Sequence, residues 1–376
     1  MFRRLLPIII IIASLSFFYY LKTAGFVEKI KAIENLKSLT FKIDNSKAKE
    51  IKKMVPVAPK PLKIIDRPKS VKAFYVTGSV AMTKKLISKI LDTVPKTEIN
   101  SLVINVKDES GSYLNQNMAN LVRELRERNI YPIARIAVFQ DNRLTKLRPD
   151  LTVKKLDGTP YSKNAHSYFW IDPASTEAWD INAEFALAAI EMGFMEINFD
   201  YIRFPDYDHT LLKYPFYDKT ELRSSVINRF ADFMNKRIKG KYPDTIISAD
   251  IFAYVLLRND DQGIGQLFTD LANRFDVIAP MIYPSHYSKG NFNFDNPADH
   301  PYEVIYQTLT QGKAALDVVG KTAKIRPWIQ DFNLGATYDK AKIQAQIKAI
   351  KDAGYNDGYM VWNPNNNYDP LKFPKQ

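Results

Sequence analysis

Two carboxylates and an amide alternate with apolar side chains in the segment Gly193–Pro205, which reads G-F-M-E-I-N-F-D-Y-I-R-F-P. Glu196, Asn198 and Asp200 fall on one face of an extended strand, because successive side chains of a strand point to opposite sides. Arg203 follows three residues later. This pattern predicts a buried strand whose C-terminal end opens into a functional site. The alternative is a strand whose polar row faces water.

Polar and aromatic residues also stand at or near the ends of five other predicted strands. They are Lys107 and Asp108, then Asp250, then Tyr283, then Arg326, Trp328 and Gln330, and finally Trp362 and Asn363. Each end alone is a weak signal, since a polar loop start is the common alternative. Together they indicate that several strands contribute side chains to one site.

The elements that position these residues follow from hydrophobic periodicity. Eight strands are predicted, at Val71–Thr77, Ser101–Lys107, Tyr131–Phe139, Met195–Phe199, Thr245–Asp250, Asp276–Ile282, Lys324–Gln330 and Gly358–Trp362. Amphipathic helical stretches separate them, and this order predicts a parallel (β/α)8 TIM barrel with its site at the C-terminal strand ends. An open doubly wound sheet is the competing fold, but no G-x-G-x-x-G turn follows the first strand.

The chain is too short for an eighth helix, because only 14 residues follow Trp362. Another segment must cover that side of the barrel, and the N-terminal extension is the candidate.

Composition narrows the function classes. The chain has 376 residues and no cysteine, which excludes disulfides, thiol catalysis and thiolate zinc sites. Its net charge is +12, but residues 1–70 hold 15 Lys and Arg against 5 Asp and Glu, or +10, which leaves +2 for the rest. The basic charge therefore belongs to an N-terminal tail, and we expect no nucleic-acid partner.

The N-terminus has the pattern of a membrane signal. Arg3 and Arg4 precede the uncharged run Leu5–Leu21, which predicts a signal anchor or transmembrane segment over residues 1–24, or a cleaved secretory signal. Residues 25–70 are predicted to form a basic, proline-containing stalk, and residues 71–376 the barrel. The expected location of the barrel is outside the cytoplasm, in the periplasm or at the cell surface, either anchored or secreted.

Three motifs resemble a family of bacterial glycoside hydrolases with an α-amylase-like barrel. They are W-I-D-P at Trp170–Pro173, the segment Gly193–Pro205, and A-P-M-I-Y-P-S-H-Y at Ala279–Tyr287. The likeness runs from about Val71 to the C-terminus. In related clans the catalytic carboxylates end the fourth and fifth strands, so the resemblance implies Asp200 and Asp250 here.

The function predicted is hydrolysis of a cell-envelope or extracellular polysaccharide, with Asp200 as nucleophile or base and Asp250 as acid. The α-amylases place a Glu after the fifth strand, so Glu196 and Asp108 stay open as alternative acids. Arg203 is expected to keep Asp200 ionised.

Arg203 is also predicted to bind substrate, as are the remaining predicted residues, and no metal or cofactor is expected. Sugar rings would stack on Tyr283, Trp328 and Trp362. Hydroxyls or an anionic substituent would be held by Arg326, Gln330 and Asn363. The rest of the site would be lined by Lys107, Asp108, Glu196 and Asn198. One alternative is a barrel that binds polysaccharide without cutting it. Another is a metal-dependent deacetylase, which the scattered histidines do not favour.

Overall fold

The computed structural model describes residues 62–163, 168–320 and 323–375. In these ranges eight parallel strands close into a barrel, since each strand pairs with the next along the chain and the last pairs with the first. The strands are β1 (Val71–Val76), β2 (Ser101–Asp108), β3 (Tyr131–Ala137), β4 (Glu196–Asp200), β5 (Ile246–Phe252), β6 (Val277–Met281), β7 (Lys324–Ile325 and Trp328–Gln330) and β8 (Gly358–Trp362). The predicted (β/α)8 barrel is confirmed.

Helices follow every strand except the last. They are α1 (Gly78–Met82), α2 (Lys84–Thr93), α3 (Gln116–Glu127), α4 (Asn142–Leu147), α5 (Thr176–Met192), α6 (Arg223–Lys239), α7 (Phe268–Leu271), α8 (Pro301–Val318) and α9 (Lys340–Asp352). The long helix α5 begins where the Ser175 side chain accepts the N–H of Ala178, and it ends at Gly193, whose φ of 107° is left-handed.

The alternation of β4 separates the packing face from the chemical face. Phe199 points outward and meets the Phe230 ring of α6 at 5.9 Å between centroids. Asn198 and Asp200 point into the barrel, where Asn198 contacts Asp250 of β5 and Asp200 contacts Arg135 of β3. Burial of the outward ring therefore fixes which residues face the interior.

Strand β7 is interrupted at Arg326 and Pro327, where a continuous strand was predicted. Proline has no N–H to donate to a neighbouring strand, which breaks the ladder at this point. The Arg326 N–H still donates to the carbonyl of Ile278 at 2.9 Å, so the chain direction is kept.

The C-terminal segment covers the side of the barrel that lacks a helix. Tyr368 stacks on Phe74 of β1 with centroids 3.9 Å apart, and the fully buried Phe373 meets the same ring edge-on at 5.1 Å. The rings that cover Phe74 therefore come from the C-terminal segment, and most of the N-terminal extension, the candidate named from the sequence, lies outside the described residues.

Residues 62–70 run along the N-terminal end of the barrel. Arg126 donates to the carbonyl of Lys63 at 2.7 Å, and Arg67 forms an ion pair with Asp357 at 2.6 Å. Leu62 lies against Gly193, where an added Cβ would come within 2.3 Å of its Cδ1. The predicted anchor at 1–24 and the stalk up to residue 61 lie outside the described residues. Among the residues described, no helix has the length and apolar character to cross a bilayer.

Candidate active site

Arg135 of β3 stands between the two carboxylates predicted to be catalytic. It is 4% exposed, its Nη2 donates to Asp200 Oδ2, and its Nε lies 3.5 Å from Asp250 Oδ2. Its Nη1 donates to Asn105 Oδ1 at 2.7 Å. Asp200 and Asp250 are brought level because the residues before them, on β4 and β5, are paired in register. We call Arg135, Asp200 and Asp250 the upper cluster.

Asp250 is held by two neutral donors and carries one oxygen without a hydrogen bond. Its Oδ1 accepts the Trp328 indole N–H at 2.7 Å and the Asn198 amide at 2.9 Å. Its Oδ2 has no hydrogen-bond partner among the described residues. Burial, and then the nearby charge of Asp200, raise the pKa of Asp250 to about 8, although Arg135, Trp328 and Asn198 act in the opposite direction. The side chain is therefore a carboxylic acid near neutral pH.

Asp200 has a different set of donors. Besides the Arg135 guanidinium, it accepts the N–H of Tyr201 at 2.5 Å on Oδ1. Tyr201 has a φ of 55°, a left-handed conformation that is uncommon for an aromatic residue and marks the turn directly after β4. The pKa of Arg135 lies well above its usual range. Burial alone would lower this pKa, but Asp200, Tyr75 and Asp250 together raise it. A permanent cation therefore faces Asp200 and forms a charge-assisted hydrogen bond with it.

Aromatic rings surround the upper cluster on the β1 and β8 side. Tyr75 stacks on Trp362 with centroids 4.3 Å apart, and the Arg135 guanidinium carbon lies 5.7 Å from the Tyr75 centroid and 5.8 Å from that of Trp362. The Tyr75 hydroxyl accepts the amide of Asn105 at 2.9 Å. These rings fix the arginine from one side while the carboxylates bind it from the other.

A second group of rings lies beside β6. Tyr283 contacts His286 at 5.3 Å and Phe332 at 5.9 Å between centroids. Burial and then the charges of Asp250 and Asp200 raise the pKa of Tyr283 well above its usual value. Tyr283 therefore stays protonated, with a ring next to the carboxylate pair.

The comparison with protein families decides the class of the protein. A family described as "putative glycosyl hydrolase domain" matches residues 73–368, which is nearly all of the barrel. The chain belongs to this glycosyl hydrolase family. The prediction of a glycoside hydrolase is thereby confirmed. No curated protein sequence matches the chain.

Solved structures show the same barrel. An α-galactosidase from Thermus thermophilus has a TM-score of 0.53 at 13% identity, and the match covers 86% of this chain and 64% of that one. Amy13B of Eubacterium rectale has a TM-score of 0.50 at 9% identity, covering 81% and 67%. A hypothetical protein from Ruminiclostridium thermocellum is 27% identical over 51% of this chain and 99% of its own, with a TM-score of 0.42. At 13% and 9% identity, the likeness to the α-galactosidase and to Amy13B shows the fold alone.

Arg203 does not have the role that we predicted for it. It forms no ion pair with Asp200, whose carboxylate is bound by Arg135 instead. Its guanidinium carbon lies 4.7 Å from the Trp170 centroid and 4.4 Å from that of Phe252, and within the described residues it donates a hydrogen bond to the carbonyl of Phe204 at 3.2 Å. The loop after β4 thus places this side chain among aromatic rings, without a direct ion pair to the carboxylate that precedes it.

Glu196 and Arg326 lie at the N-terminal end of the barrel, so the prediction that they bind substrate is wrong. Both are fully buried, and Arg326 Nη1 donates to Glu196 Oε1 at 2.8 Å. Arg326 also pairs with Asp357 at 2.9 Å, and Asp357 pairs with Arg67. We call Arg67, Glu196, Arg326 and Asp357 the lower ion network. Glu196 is consequently excluded as the catalytic acid.

A β-bulge redirects Lys107. The register between β2 and β3 shifts between Asn105 and Lys107, so the lysine does not join Asn105 inside the barrel. Lys107 Nζ instead pairs with Asp141 at 2.8 Å and donates to the carbonyl of Ala137 at 2.5 Å. The predicted substrate ligand therefore holds the loop that follows β3.

Asp108 closes its own turn. Its Oδ1 accepts the N–H groups of Ser110 and Gly111, and its Oδ2 accepts the Tyr113 hydroxyl at 2.9 Å. These three bonds occupy both carboxylate oxygens. Asp108 thus has a structural role, and the alternative that it supplies the catalytic acid is not favoured.

Three further predicted substrate ligands have internal partners. Trp328 is 1% exposed, so it positions Asp250 and cannot stack on a sugar. Gln330 donates to the carbonyl of Phe332 and accepts the N–H of Ser285, both in loops at this end of the barrel. The Asn363 amide donates to the carbonyls of Asp331 and Asn367. These residues hold the loops that carry the rings, while Tyr283 and Trp362 remain candidates for contact with substrate.

Residue-level prediction missed the group that joins the carboxylates. Arg135 follows an inward-facing Ile133 by two positions, so the period of a strand already places it inside the barrel. A charged residue at an inward position in an otherwise apolar strand is the signal that identifies it. Among the described residues, no three His, Asp or Glu side chains group in a way that could hold a metal ion.

Proposed function

We propose that the protein hydrolyses glycosidic bonds of a cell-envelope or extracellular polysaccharide, with Asp250 as the acid and Asp200 as nucleophile or base. The observation that carries the proposal is the contrast within the upper cluster. Asp200 faces the Arg135 guanidinium directly, whereas burial raises the pKa of Asp250 to about 8. One protonated and one ionised carboxyl on neighbouring strands is the requirement of glycoside hydrolysis.

The proton of Asp250 belongs on Oδ2. Its Oδ1 already accepts two N–H groups, whereas Oδ2 and the neighbouring Arg135 Nε have no hydrogen-bond partner in the part of the chain that the structure describes. Oδ2 donates its proton to the glycosidic oxygen as the bond to the anomeric carbon breaks, and the bonding electrons leave with that oxygen. Asp200 then either attacks the anomeric carbon or takes a proton from the water that does.

Access to the pair depends on the rings beside it. Asp200 is 5% exposed and Asp250 is 1% exposed, so a sugar reaches them only when neighbouring side chains move aside. The half-buried ring of Trp362 and the ring of Tyr283 are positioned to pack on pyranose faces once the site opens. The polysaccharide is therefore the partner that these groups are proposed to bind.

The N-terminal sequence supports a location at the membrane. Residues 1–24 are proposed to anchor the protein, or to direct its secretion if they are cleaved, with the hydrolase outside the cytoplasm. Protease added to spheroplasts, whose outer layers have been removed, should then degrade the barrel, and a barrel protected until the spheroplasts are lysed would contradict this placement.

The test of catalysis measures new reducing ends. Wild-type protein is incubated with cell-wall and exopolysaccharide fractions, and the active fraction is then given to Asp200→Asn, Asp250→Asn and the double variant. Each single variant should lose about three or more powers of ten in turnover, and the double variant little more, because the two groups act as a unit. Asp244→Asn, at an exposed position before β5, is the matched control.

Two outcomes contradict the proposal. Near-normal turnover in Asp200→Asn, with an unchanged thermal melt, removes that residue from the mechanism. Tight binding of a polysaccharide by the wild type without any new reducing ends favours the non-catalytic polysaccharide-binding barrel instead.

A further inference from the structure

Three arginines are buried in the described part of the chain, and one of them has no carboxylate. Arg135 contacts Asp200 and Asp250, and Arg326 contacts Glu196 and Asp357. Arg203 is 8% exposed, yet the described residues give it no ion pair. A buried cation without an anion costs free energy, so this arginine differs from the other two in a way that needs a reason.

The nearest acidic groups are not available to Arg203. Asp200 and Asp206 both act on it electrostatically, but neither forms an ion pair with it. Asp200 is bound by Arg135, and the exposed Asp206 lies 3.8 Å from Lys163. The side chains of the described residues therefore do not supply the anion for Arg203.

Aromatic faces hold the guanidinium in a fixed orientation. Trp170 lies on the loop between β3 and α5, Phe252 ends β5, and Tyr201 lies 5.6 Å away directly after β4. The arginine is thus held at the same end of the barrel as Asp200, in the loop that begins with Tyr201. Its Nη1 donates to the carbonyl of Phe204, and stacking leaves the Nε and Nη2 edge of the planar fork to bind a carboxylate in two-point geometry.

We propose that Arg203 binds the carboxylate of an acidic sugar, so that the substrate is a uronic-acid-containing glycan. This inference rests on the proposed function, since it assigns the substrate class of the same site. The bound carboxylate supplies the missing counter-charge of Arg203 and places the sugar ring next to Asp200. A neutral glycan of the same linkage leaves the buried arginine unpaired and binds more weakly.

The test compares acidic oligosaccharides with their own neutral forms. Oligoglucuronates, oligogalacturonates and alginate oligosaccharides are each titrated by calorimetry, with and without chemical reduction of their carboxylates, into the Asp200→Asn protein so that none is consumed. At least one acidic probe should bind about 10- to 100-fold tighter than its reduced form, the range expected for hydrogen bonds to charged groups. Arg203→Met should abolish this preference, and Arg203→Lys should keep part of it.

Arg258→Met is the matched control, because this arginine is exposed and paired with Asp260. Equal affinity for acidic and reduced probes, or no binding of any acidic probe, overturns the proposal. So does an equal loss for both forms in Arg203→Met, which would mean that the arginine only packs the loop. Should the Met variant not fold, the Lys variant decides, since an unchanged preference there also overturns it.

The binding test can fail or succeed independently of the test of hydrolysis. Binding that depends on Arg203, in a protein whose wild type releases no reducing ends, supports the acidic ligand and rejects hydrolysis. Hydrolysis of neutral glycans without any charge preference does the reverse.

Discussion

The barrel contains two buried ionic assemblies that differ in their balance of charge. The lower ion network has two carboxylates and two arginines. Each carboxylate has an oxygen 2.6–2.9 Å from a guanidinium nitrogen. The upper cluster has two carboxylates for one arginine, and the closest contact of Asp250 with that arginine is 3.5 Å. One oxygen of Asp250 has no hydrogen bond among the described residues.

The difference in charge balance suits the two assemblies to different roles. A charge-balanced network keeps every group in one protonation state, which suits a structural role. An unbalanced cluster does not favour two ionised carboxylates, so one of them holds a proton, as the proposed mechanism requires. The same kinds of residue thus serve opposite purposes at the two ends of one barrel.

Breaking the lower ion network should give the largest loss of stability. Arg326→Met leaves Glu196 and Asp357 without their central partner, and we expect a loss of about 3–5 kcal/mol in the free energy of unfolding. Arg67→Met removes only the outer arginine, whose side chain is 21% exposed, and should cost about 1 kcal/mol or less. Denaturant unfolding measures both values.

Turnover per folded molecule should be unchanged in both arginine variants, because the lower ion network lies about 13 Å below Asp200 along β4. A loss of turnover without a loss of stability in Arg326→Met would show that the two assemblies are not separate.

An Asp→Asn substitution should change the stability of the protein in opposite directions at the two ends of the barrel. The pKa of Asp250 is raised from 3.8 to about 8, so between these values the folded protein binds more protons than the unfolded chain and stability falls as pH rises. Asp250→Asn removes this loss, and its stability relative to wild type should increase from pH 4 to pH 8. Roughly 2–4 °C of melting temperature corresponds to each kcal/mol.

Asp357→Asn is the counterpart, and it should destabilise at all these pH values because the carboxylate is paired with two arginines. Thermal melts of both variants across the pH range make the comparison. Destabilisation by Asp250→Asn at pH 8 would contradict the view that its charge is in excess.

The smallest expected effect is a shift in the pH profile. Trp328 donates its N–H to Asp250 at 2.7 Å and thereby lowers the pKa of that acid. Trp328→Phe should move the alkaline limb of kcat/KM to higher pH by about one unit or less, equivalent to at most about 1.4 kcal/mol. Trp179→Phe is the matched control, since this buried indole donates to the carbonyl of Pro173 at 2.7 Å. A shift of equal size in both variants would assign the effect to packing.

Much of the fold was predictable because strand periodicity is local. The eight strands and the inward row of Glu196, Asn198 and Asp200 follow from side chains that alternate along β4. Periodicity does not tell, however, at which end of the barrel a side chain lies. Each two-residue step moves about 6.6 Å along the barrel, so Glu196 and Asp200 share a face but belong to different ends.

Other parts of the site depend on contacts between distant segments. The bulge that redirects Lys107 arises from the pairing of β2 with β3, and the ion pair of Asp200 comes from Arg135 and not from the nearby Arg203. Neither fact can be read from spacing within one strand. The charge count of the upper cluster appears only when three strands are placed side by side.

The position of residues 62–70 on the barrel matters for the approach of a long substrate. Leu62, Lys63 and Arg67 all contact the N-terminal end of the barrel, the face opposite to Asp200 and Asp250. A polymer bound across the face that holds Asp200 and Asp250 would not meet residues 62–70. This described part of the chain therefore leaves room for the proposed substrate to bind in the middle of its length.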